Sequence, residues 1–389
     1  MVSPTDAILV RCAEVGFFAS GVCAAAASSH RRHVHAWLSA GRHGEMSYLA
    51  ENLEQRLDPG AFVPGARSLV VVADRYCDGR RDRLGRPLFG RVARYARGQD
   101  YHRVLRERLE IVRDECRNRW PEHRFRACVD TAPVLEREHA ARAGIGAIGK
   151  HTLLLIPGLG SWVVLGAIVT TMPLEATRAP AAATLPGVGG GALPQWGEEG
   201  AGAARGAGTT DGVDPCGACT RCIDACPTKC ITPWSVDASA CISYLTLEHR
   251  GAIDPGYHAA LGDWLAGCDV CQEVCPHSAP TRRARRATSR PEYAPIRDGL
   301  DVLQILDFSE ADRKALVDDS ALERLLLPML QRNAIIVAAN TCPPPQRTAL
   351  IQKLEQIAVD AGRDHVVRST AATTIARLRA AQNEGSREE

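Results

Sequence analysis

Apolar and polar positions follow two different periods along the first 174 residues of this chain. Ser68–Ala73 (SLVVVA) and Trp162–Thr170 (WVVLGAIVT) are short apolar runs rich in β-branched residues, which predicts strands buried on both faces. Phe125–Val129 reads as a further strand. In His102–Cys116, Val104, Leu105, Leu109, Ile111, Val112 and Cys116 recur near a helical period, which predicts a helix with one apolar face. Such alternation predicts an α/β or α+β layered domain over residues 1–174. Phe17–Ser29 (FFASGVCAAAASS) superficially resembles the apolar core of a signal peptide. Asp6, Arg11 and Glu14 precede it in place of a basic start, so an amphipathic helix and its following turn are expected.

The pattern fades over residues 175–213, where Ala, Gly and Pro replace large apolar side chains; a loosely ordered surface insertion or linker is expected. It resumes as helix beyond Asp301. Leu322, Leu325, Leu326, Met329 and Leu330 share a face, Ile335–Ala339 extends the core, and the Thr341–Pro345 segment (TCPPP) breaks the chain. Two more helices are expected near 346–360 and 364–381. Short helices with sharp breaks suggest HEAT-like pairs. The chain thus divides into segments 1–174, 175–213, 214–279 and 280–389.

Charge and cysteine usage narrow the functional classes. The 389 residues carry a formal net charge of +2, so a nucleic-acid or membrane partner must be met by a local patch. No apolar stretch approaches 18 residues, and no membrane span is expected. Of 15 cysteines, Cys12, Cys23, Cys77, Cys116, Cys128, Cys230 and Cys342 are scattered without a disulfide framework, as in a reducing cytoplasm.

The remaining eight carry chemistry. Cys216-x2-Cys219-x2-Cys222-x3-Cys226-Pro227 has the bacterial ferredoxin spacing, in which three cysteines grip one iron–sulfur cluster and the fourth crosses to a second. Cys268-x2-Cys271-x3-Cys275-Pro276 supplies three more thiols, and Cys241 is the eighth that two four-iron clusters require. The expected partition places Cys216, Cys219, Cys222 and Cys275 on one cluster and Cys226, Cys241, Cys268 and Cys271 on the other. Paired Cys-x2-Cys motifs also bind zinc, but zinc does not need this cadence. Electron transfer is the expected business of segment 214–279.

Segment 1–174 must say where electrons go. Asp130 follows the Phe125–Val129 strand and precedes a helix start, a position that suits either a catalytic carboxylate or a helix cap. Gly144, Gly146 and Gly149 could let backbone approach a cofactor, yet they do not open a helix after a strand as a dinucleotide fingerprint does.

Taken in order, several segments resemble the epoxyqueuosine reductases, cobalamin-dependent iron–sulfur enzymes that complete queuosine synthesis on tRNA. They are His43-Gly-Glu-Met46, Gln55-Arg-Leu-Asp-Pro59, the Arg94–His102 run (RYARGQDYH), the Val129–Arg137 run (VDTAPVLER) and Gly149-Lys150. The Gly160–Gly166 run (GSWVVLG), both cysteine motifs, Cys241-Ile-Ser-Tyr-Leu-Thr246 and Gln331-Arg-Asn333 complete the set. The resemblance implies a nitroreductase-like cobalamin-binding domain, a ferredoxin-type domain with two 4Fe-4S clusters, and C-terminal HEAT-like helices. It implies Asp130 as proton donor, and cobalamin contacts from Arg56, Tyr95, Asp130, Lys150, Thr152, Ser161, Trp162 and Ser243. No histidine ligand to cobalt is expected, and His102 reads as a satisfied surface histidine. The sequence departs from the family's habit at Thr131-Ala132, where Ser-Gly is usual, at His151, where Asn is usual, and in the long 175–213 insertion.

The implied partner is tRNA, engaged through the anticodon stem-loop, with a low-potential electron donor besides; the protein itself is expected to be a monomer. The Thr281–Arg290 run (TRRARRATSR) holds five arginines in ten residues, and Arg282, Arg283, Arg285 and Arg286 are the candidates for phosphate contacts. Two other readings compete. A cobalamin-dependent reductive dehalogenase shares the cofactors but leaves the later helices unexplained. A non-catalytic electron-transfer subunit leaves segment 1–174 superfluous.

Overall fold

Eight consecutive buried residues, Ser68–Arg75, form the strand around which the first of two structural units is built. The computed structural model describes residues 2–77, 82, 85–177, 214–279 and 289–385. The first unit comprises Met1–Arg80, Asp100–Asp237 and Val270–Ala294. Its main sheet has the order Ala19–Ala24, Ser68–Arg75, Val163–Thr170, Phe125–Val129, with every neighbour antiparallel. Leu69, Val70, Val71 and Val72 are fully buried. Burial of each such side chain stabilises the fold by about 1.5–3 kcal/mol, which explains the unbroken apolar run.

The helix Tyr101–Arg119 packs on this sheet through Val104, Leu105, Leu109, Val112 and Cys116, all buried. Gly166 makes the approach possible, since a Cβ there would lie 2.8 Å from Leu109 Cδ1. Asp100 caps the helix by accepting from the His102 backbone N–H at 3.0 Å. One acid reaches the core from the strand's end. Asp74 is paired with Arg108, accepts from the Tyr293 hydroxyl at 2.8 Å, and accepts the Phe18 N–H at 3.3 Å.

The expected Phe17–Ser29 helix is corrected by the structure. Ala19–Ala24 is an antiparallel edge strand in register with Ser68–Ala73. The helix in this region is Pro4–Glu14, which begins earlier, under a Ser3 cap with Pro4 at its first turn. Small residues and a β-branched Val22 suit a strand that must lie flat against its neighbour, and tertiary pairing overrides a weak helical pattern. The insertion 175–213 lies outside the described residues except for its first three, of which Thr177 donates its N–H to Val22 O at 2.9 Å.

The second unit comprises Arg81–Gln99, Ala238–Asp269 and Pro295–Glu389. Phe89–Val92 is the middle strand of a small sheet, parallel to Trp264–Ala266 and antiparallel to Gly299–Asp301. Three helices follow at Leu327–Thr341, Arg347–Val359 and His365–Gly385, with the break at Thr341 where the prolines begin. The apolar face read from Leu322 onward is only partly helical. Leu322 and Leu325 are buried in a turn, Leu326 is 40% exposed, and Pro328 sits in the first turn of the helix. The two units cut across the segments read from the sequence.

The Gln331-Arg-Asn333 motif satisfies buried backbone. Arg332, fully buried, donates to His249 O and Leu245 O at 2.7 Å each and to Gly251 O. Asn333 Nδ2 donates to Thr246 O and Leu265 O at 2.9 Å each. The Thr246 and Leu265 carbonyls lie in buried residues, so removing their donor leaves them unpaired. Asn333→Ala should therefore lower stability by about 2–4 kcal/mol, read as a reduced urea midpoint with an unchanged denaturant slope. A loss below about 0.5 kcal/mol would mean that the loop relaxes to satisfy them.

Candidate active site and cysteine centres

The first unit gathers three acids and an imidazole where strand ends meet a helix start. Asp130 follows the last residue of the Phe125–Val129 strand, in a turn closed by the Ala132 N–H to Val129 O. It does not cap the next helix, Glu136–Arg142, whose N-cap is Leu135. The capping alternative is thereby excluded. Its half-exposed carboxylate instead accepts at Oδ2 from the Tyr101 hydroxyl at 2.8 Å, and His102 Nε2 lies 3.2 Å from the same oxygen. His102 Nδ1 lies 2.7 Å from Asp100 Oδ1, and the Tyr101 and His102 rings stack at 3.9 Å.

An imidazole between two carboxylates is an electrostatic trap for a proton. Burial works against the charged ring, but hydrogen bonds to Asp100 and Asp130 outweigh it and push His102 up to about 9. For Asp100, burial likewise acts upward, and the hydrogen bonds from His102 carry the balance below the usual carboxylate range. Glu136, at the start of its helix, is pushed up to about 8 by burial, with the negative charge of Asp130 adding to it. Glu136 Oε1 and Arg56 Nε are buried and make no hydrogen bond. Polar atoms left in that state beside an acid are suited to a ligand that brings its own donors and acceptors.

The neighbouring hairpin, Ala147–Ile148 paired with Leu154–Leu155, turns through Gly149–Leu153. Thr152 takes a positive φ of 67° in this turn and receives Arg137 Nη1 on its carbonyl at 2.7 Å and on its hydroxyl at 3.2 Å. The space beside Gly146 and Gly149 is filled from within by Leu155, so these glycines serve hairpin packing and do not open a gap for a ligand. His151 is buried and held well below its usual range, at about 4, chiefly by desolvation; its Nε2 has no hydrogen-bond partner.

Lys150 joins this hairpin to the first cysteine motif. Its backbone N–H donates to Cys216 Sγ at 3.3 Å, and its Nζ donates to Gly217 O at 2.6 Å and Cys219 O at 3.0 Å. Cys216, Cys219, Cys222 and Cys275 are brought together: burial raises Cys216 to about 11, and the thiols of Cys275 and Cys222 add to the rise. Cys222 and Cys275 are raised in the same way, by burial first and with Cys219 contributing to each. Burial and neighbouring thiols work against the thiolate form of Cys216, Cys222 and Cys275, and a positively charged metal core would ionise them. Cys226 is set beside Cys230, with their sulfurs 3.5 Å apart. Cys271 also lies in the first unit; Cys241, the N-cap of Ile242–Leu247, and Cys268 belong to the second.

The other expected contacts have partners of their own. Ser161 Oγ donates to Gln272 Oε1 at 2.9 Å, and Trp162 Nε1 donates to Ser278 O at 3.0 Å. Both residues tie the Val163–Thr170 strand to the end of the second cysteine motif. Gly160 allows that contact, because a Cβ there would lie 2.4 Å from Ser278 Cα. Tyr95, in the turn Arg94–Ala96, and Ser243, on Ile242–Leu247, lie in the second unit. Arg282, Arg283, Arg285 and Arg286 lie outside the described residues. The sequence reading missed His102 and Glu136. The only signal was Asp100-Tyr-His at a helix start, which also fits a plain cap.

Comparison with known proteins now adds to the geometry. The family described as 4Fe-4S double cluster binding domain matches residues 215–278. That described as Epoxyqueuosine reductase QueG, DUF1730 matches residues 56–131. These stretches contain all eight candidate cysteine ligands and Asp130. An epoxyqueuosine reductase of Xanthomonas campestris pv. campestris is 34% identical over 336 residues, covering 82% of this chain and 83% of its own length. One from Pseudomonas aeruginosa is 32% identical over 339 residues, covering 84% and 82%. A crystal structure of an epoxyqueuosine reductase with an epoxyqueuosine-modified tRNA-Tyr stem loop matches with a TM-score of 0.77 and 26% identity, covering 96% of this chain and 89% of that one.

The imidazole trap has a thermodynamic consequence. A histidine raised by its partners contributes stability that is complete below its unfolded value near 6.5 and is lost as pH rises to about 9. Wild type and His102→Asn should therefore differ most in denaturant midpoint at pH 6 and converge by pH 9.5. Equal separation at both ends would place the histidine's contribution in packing alone.

Proposed function

This chain belongs to the epoxyqueuosine reductase family, and on that premise we propose that it reduces epoxyqueuosine to queuosine at the wobble position of tRNA. It is an oxidoreductase with a double 4Fe-4S cluster domain. The observation that carries the reading is the Asp130 carboxylate, ringed by proton donors in the same unit that holds the Cys216 motif. Removing an epoxide oxygen as water takes two electrons and two protons, and these are the two supplies on hand.

We assign one cluster to Cys216, Cys219, Cys222 and Cys275 and the other to Cys226, Cys241, Cys268 and Cys271. When bound, the clusters supply one-electron transfer from a low-potential donor. The Lys150 N–H to Cys216 stabilises the thiolate, and its ammonium holds the motif's backbone in place. Cobalamin, when bound, would supply a redox centre able to collect single electrons for a two-electron step. The unpartnered Arg56 Nε and Glu136 Oε1 fit its amide-bearing rim. Thr152, which Arg137 bonds, is a further candidate contact, as are Tyr95 and Ser243. In this reading Ser161 and Trp162 act by holding the cluster segment. The sheet-based unit would be nitroreductase-like, and the last three helices HEAT-like.

Asp130 would transfer a proton to the epoxide oxygen as its C–O bond breaks. Among the described residues no helix is long and apolar enough to cross a membrane. Net charge of +2 gives tRNA little bulk attraction, so a local arginine-rich segment would have to position the stem-loop.

The deciding experiment is anaerobic reconstitution with iron, sulfide and cobalamin, a low-potential reductant, and analysis of the tRNA for queuosine. Wild type should convert the base, and Asp130→Asn should keep its cofactors and tRNA while turnover falls by about 10²-fold or more. A wild-type rate in the variant would remove Asp130 as donor. Replacing Arg282, Arg283, Arg285 and Arg286 together with Gln should weaken tRNA binding and flatten its salt dependence, with iron content unchanged. An unaltered salt slope would move the tRNA surface elsewhere.

A further inference from the structure

Asp130 faces a supply problem: a carboxylic acid holds one proton, each turnover consumes two, and an ordinary aspartate is ionised at neutral pH. The geometry points to a solution. We propose that Asp100, His102 and Asp130 form a carboxylate–imidazole–carboxylate relay in which His102 loads Asp130 with each proton. This rests on the reductase reading above and adds the route by which the acid is charged.

Three features of the structure carry it. His102 uses both ring nitrogens on carboxylates, Nδ1 to Asp100 at 2.7 Å and Nε2 to Asp130 at 3.2 Å. The ring is fixed, by the helix start on which it sits and by the stacked Tyr101 ring. Its side chain is 17% exposed, enough to exchange protons with water, while that of Asp130 is 54% exposed. The Tyr101 hydroxyl is a second donor to the same Asp130 oxygen.

The surrounding charges favour a proton on the imidazole at rest. Asp100 and Asp130 face it directly; Arg103 acts on Asp100, and Asp130 and Arg56 both act on Glu136. Arg106 donates to Thr131, beside Asp130. The proton's passage balances. The imidazolium gives its Nε2 proton to Asp130 Oδ2, and Asp130 passes it to the epoxide oxygen as the first C–O bond breaks. Neutral His102 keeps its Nδ1 proton on Asp100, takes a new Nε2 proton from water, and reloads Asp130. That second proton leaves with the hydroxyl as water when the other C–O bond breaks. Two electrons from the low-potential donor complete the carbon–carbon double bond. His102 acts only through Asp130, and is a positioning and charging residue.

The test uses the reconstituted full-length protein with its tRNA substrate. Wild-type turnover should hold up to about pH 9, where the relay empties. His102→Gln keeps a hydrogen-bonding side chain but cannot carry the proton. At pH 8 it should turn over about 10²-fold more slowly, losing a further factor of about ten per pH unit as Asp130 must protonate alone. Asp100→Asn retains the helix cap and removes one charge, so the alkaline fall should move to lower pH, which a purely structural role would not produce. Wild-type rate and profile in His102→Gln overturn the relay. A second arm needs no turnover: the His102 midpoint, followed by NMR, should drop in Asp130→Asn. An unmoved midpoint overturns the relay even if the wild type converts the base. Failure of the wild type to convert it, with the midpoint shift present, overturns the assigned chemistry and leaves the coupled pair standing.

Discussion

The closeness of one helix to one sheet sets the position of everything in the first unit. At Gly166 the central strand has no side chain, and Leu109 of the Tyr101–Arg119 helix occupies the space a Cβ would claim. Gly166 is also in register with Val129, the residue before Asp130. The helix is therefore pressed down next to the strand end that carries the acid. With its start fixed there by the Asp100 cap, Tyr101 and His102 reach Asp130 without any long or flexible side chain. A bulkier residue at 166 would lift the helix and stretch a 3.2 Å contact past hydrogen-bonding distance.

That geometry turns a cap into chemistry. Asp100 has the ordinary task of satisfying a helix N-terminus, and the same Oδ1 also holds His102 Nδ1. Holding one nitrogen fixes which way the ring faces and presents the other to Asp130. The helix dipole opposes a cation at this end, so the two carboxylates are what keep the imidazolium there. Glu136 is under the opposite influence. Burial and Asp130 favour its neutral form, so the carboxyls of one small site are driven apart in acidity.

How much of this could be read in the sequence depends on the range over which each feature is encoded. The double-cluster domain was legible because its x2 and x3 cysteine spacings are local and few folds need them. The strands Ser68–Arg75 and Val163–Thr170 were legible because burial on both faces writes an unbroken apolar run. Phe17–Ser29 misled because its small residues fit a helix as well as a strand, and the choice is made by pairing with residues some 50 positions away. His102 looked like a surface histidine because Asp130 is 28 residues off, and only the Gly166 packing brings them together. Arg332 and Asn333 were visible as a motif, yet their task was not, because the carbonyls they satisfy lie in another segment altogether. Leu326 shares the apolar pattern but not the buried face, because Pro328 in the first turn starts the helix after it and leaves Leu326 40% exposed at the cap.

The same packing logic ties electrons to protons. Gly160, Ser161 and Trp162 sit at the head of the strand that contains Gly166, and all three meet Ser278, just past Cys275. From the other side Lys150 grips the Cys216 motif through three hydrogen bonds. The first cysteine quartet is thus held to the same sheet that positions Asp130. Electron transfer falls steeply with distance and proton transfer more steeply still, so an enzyme that must deliver both to one epoxide gains from a single rigid frame. Lys150, Ser161 and Trp162, whose side chains bond to the cysteine segments, are parts of that frame.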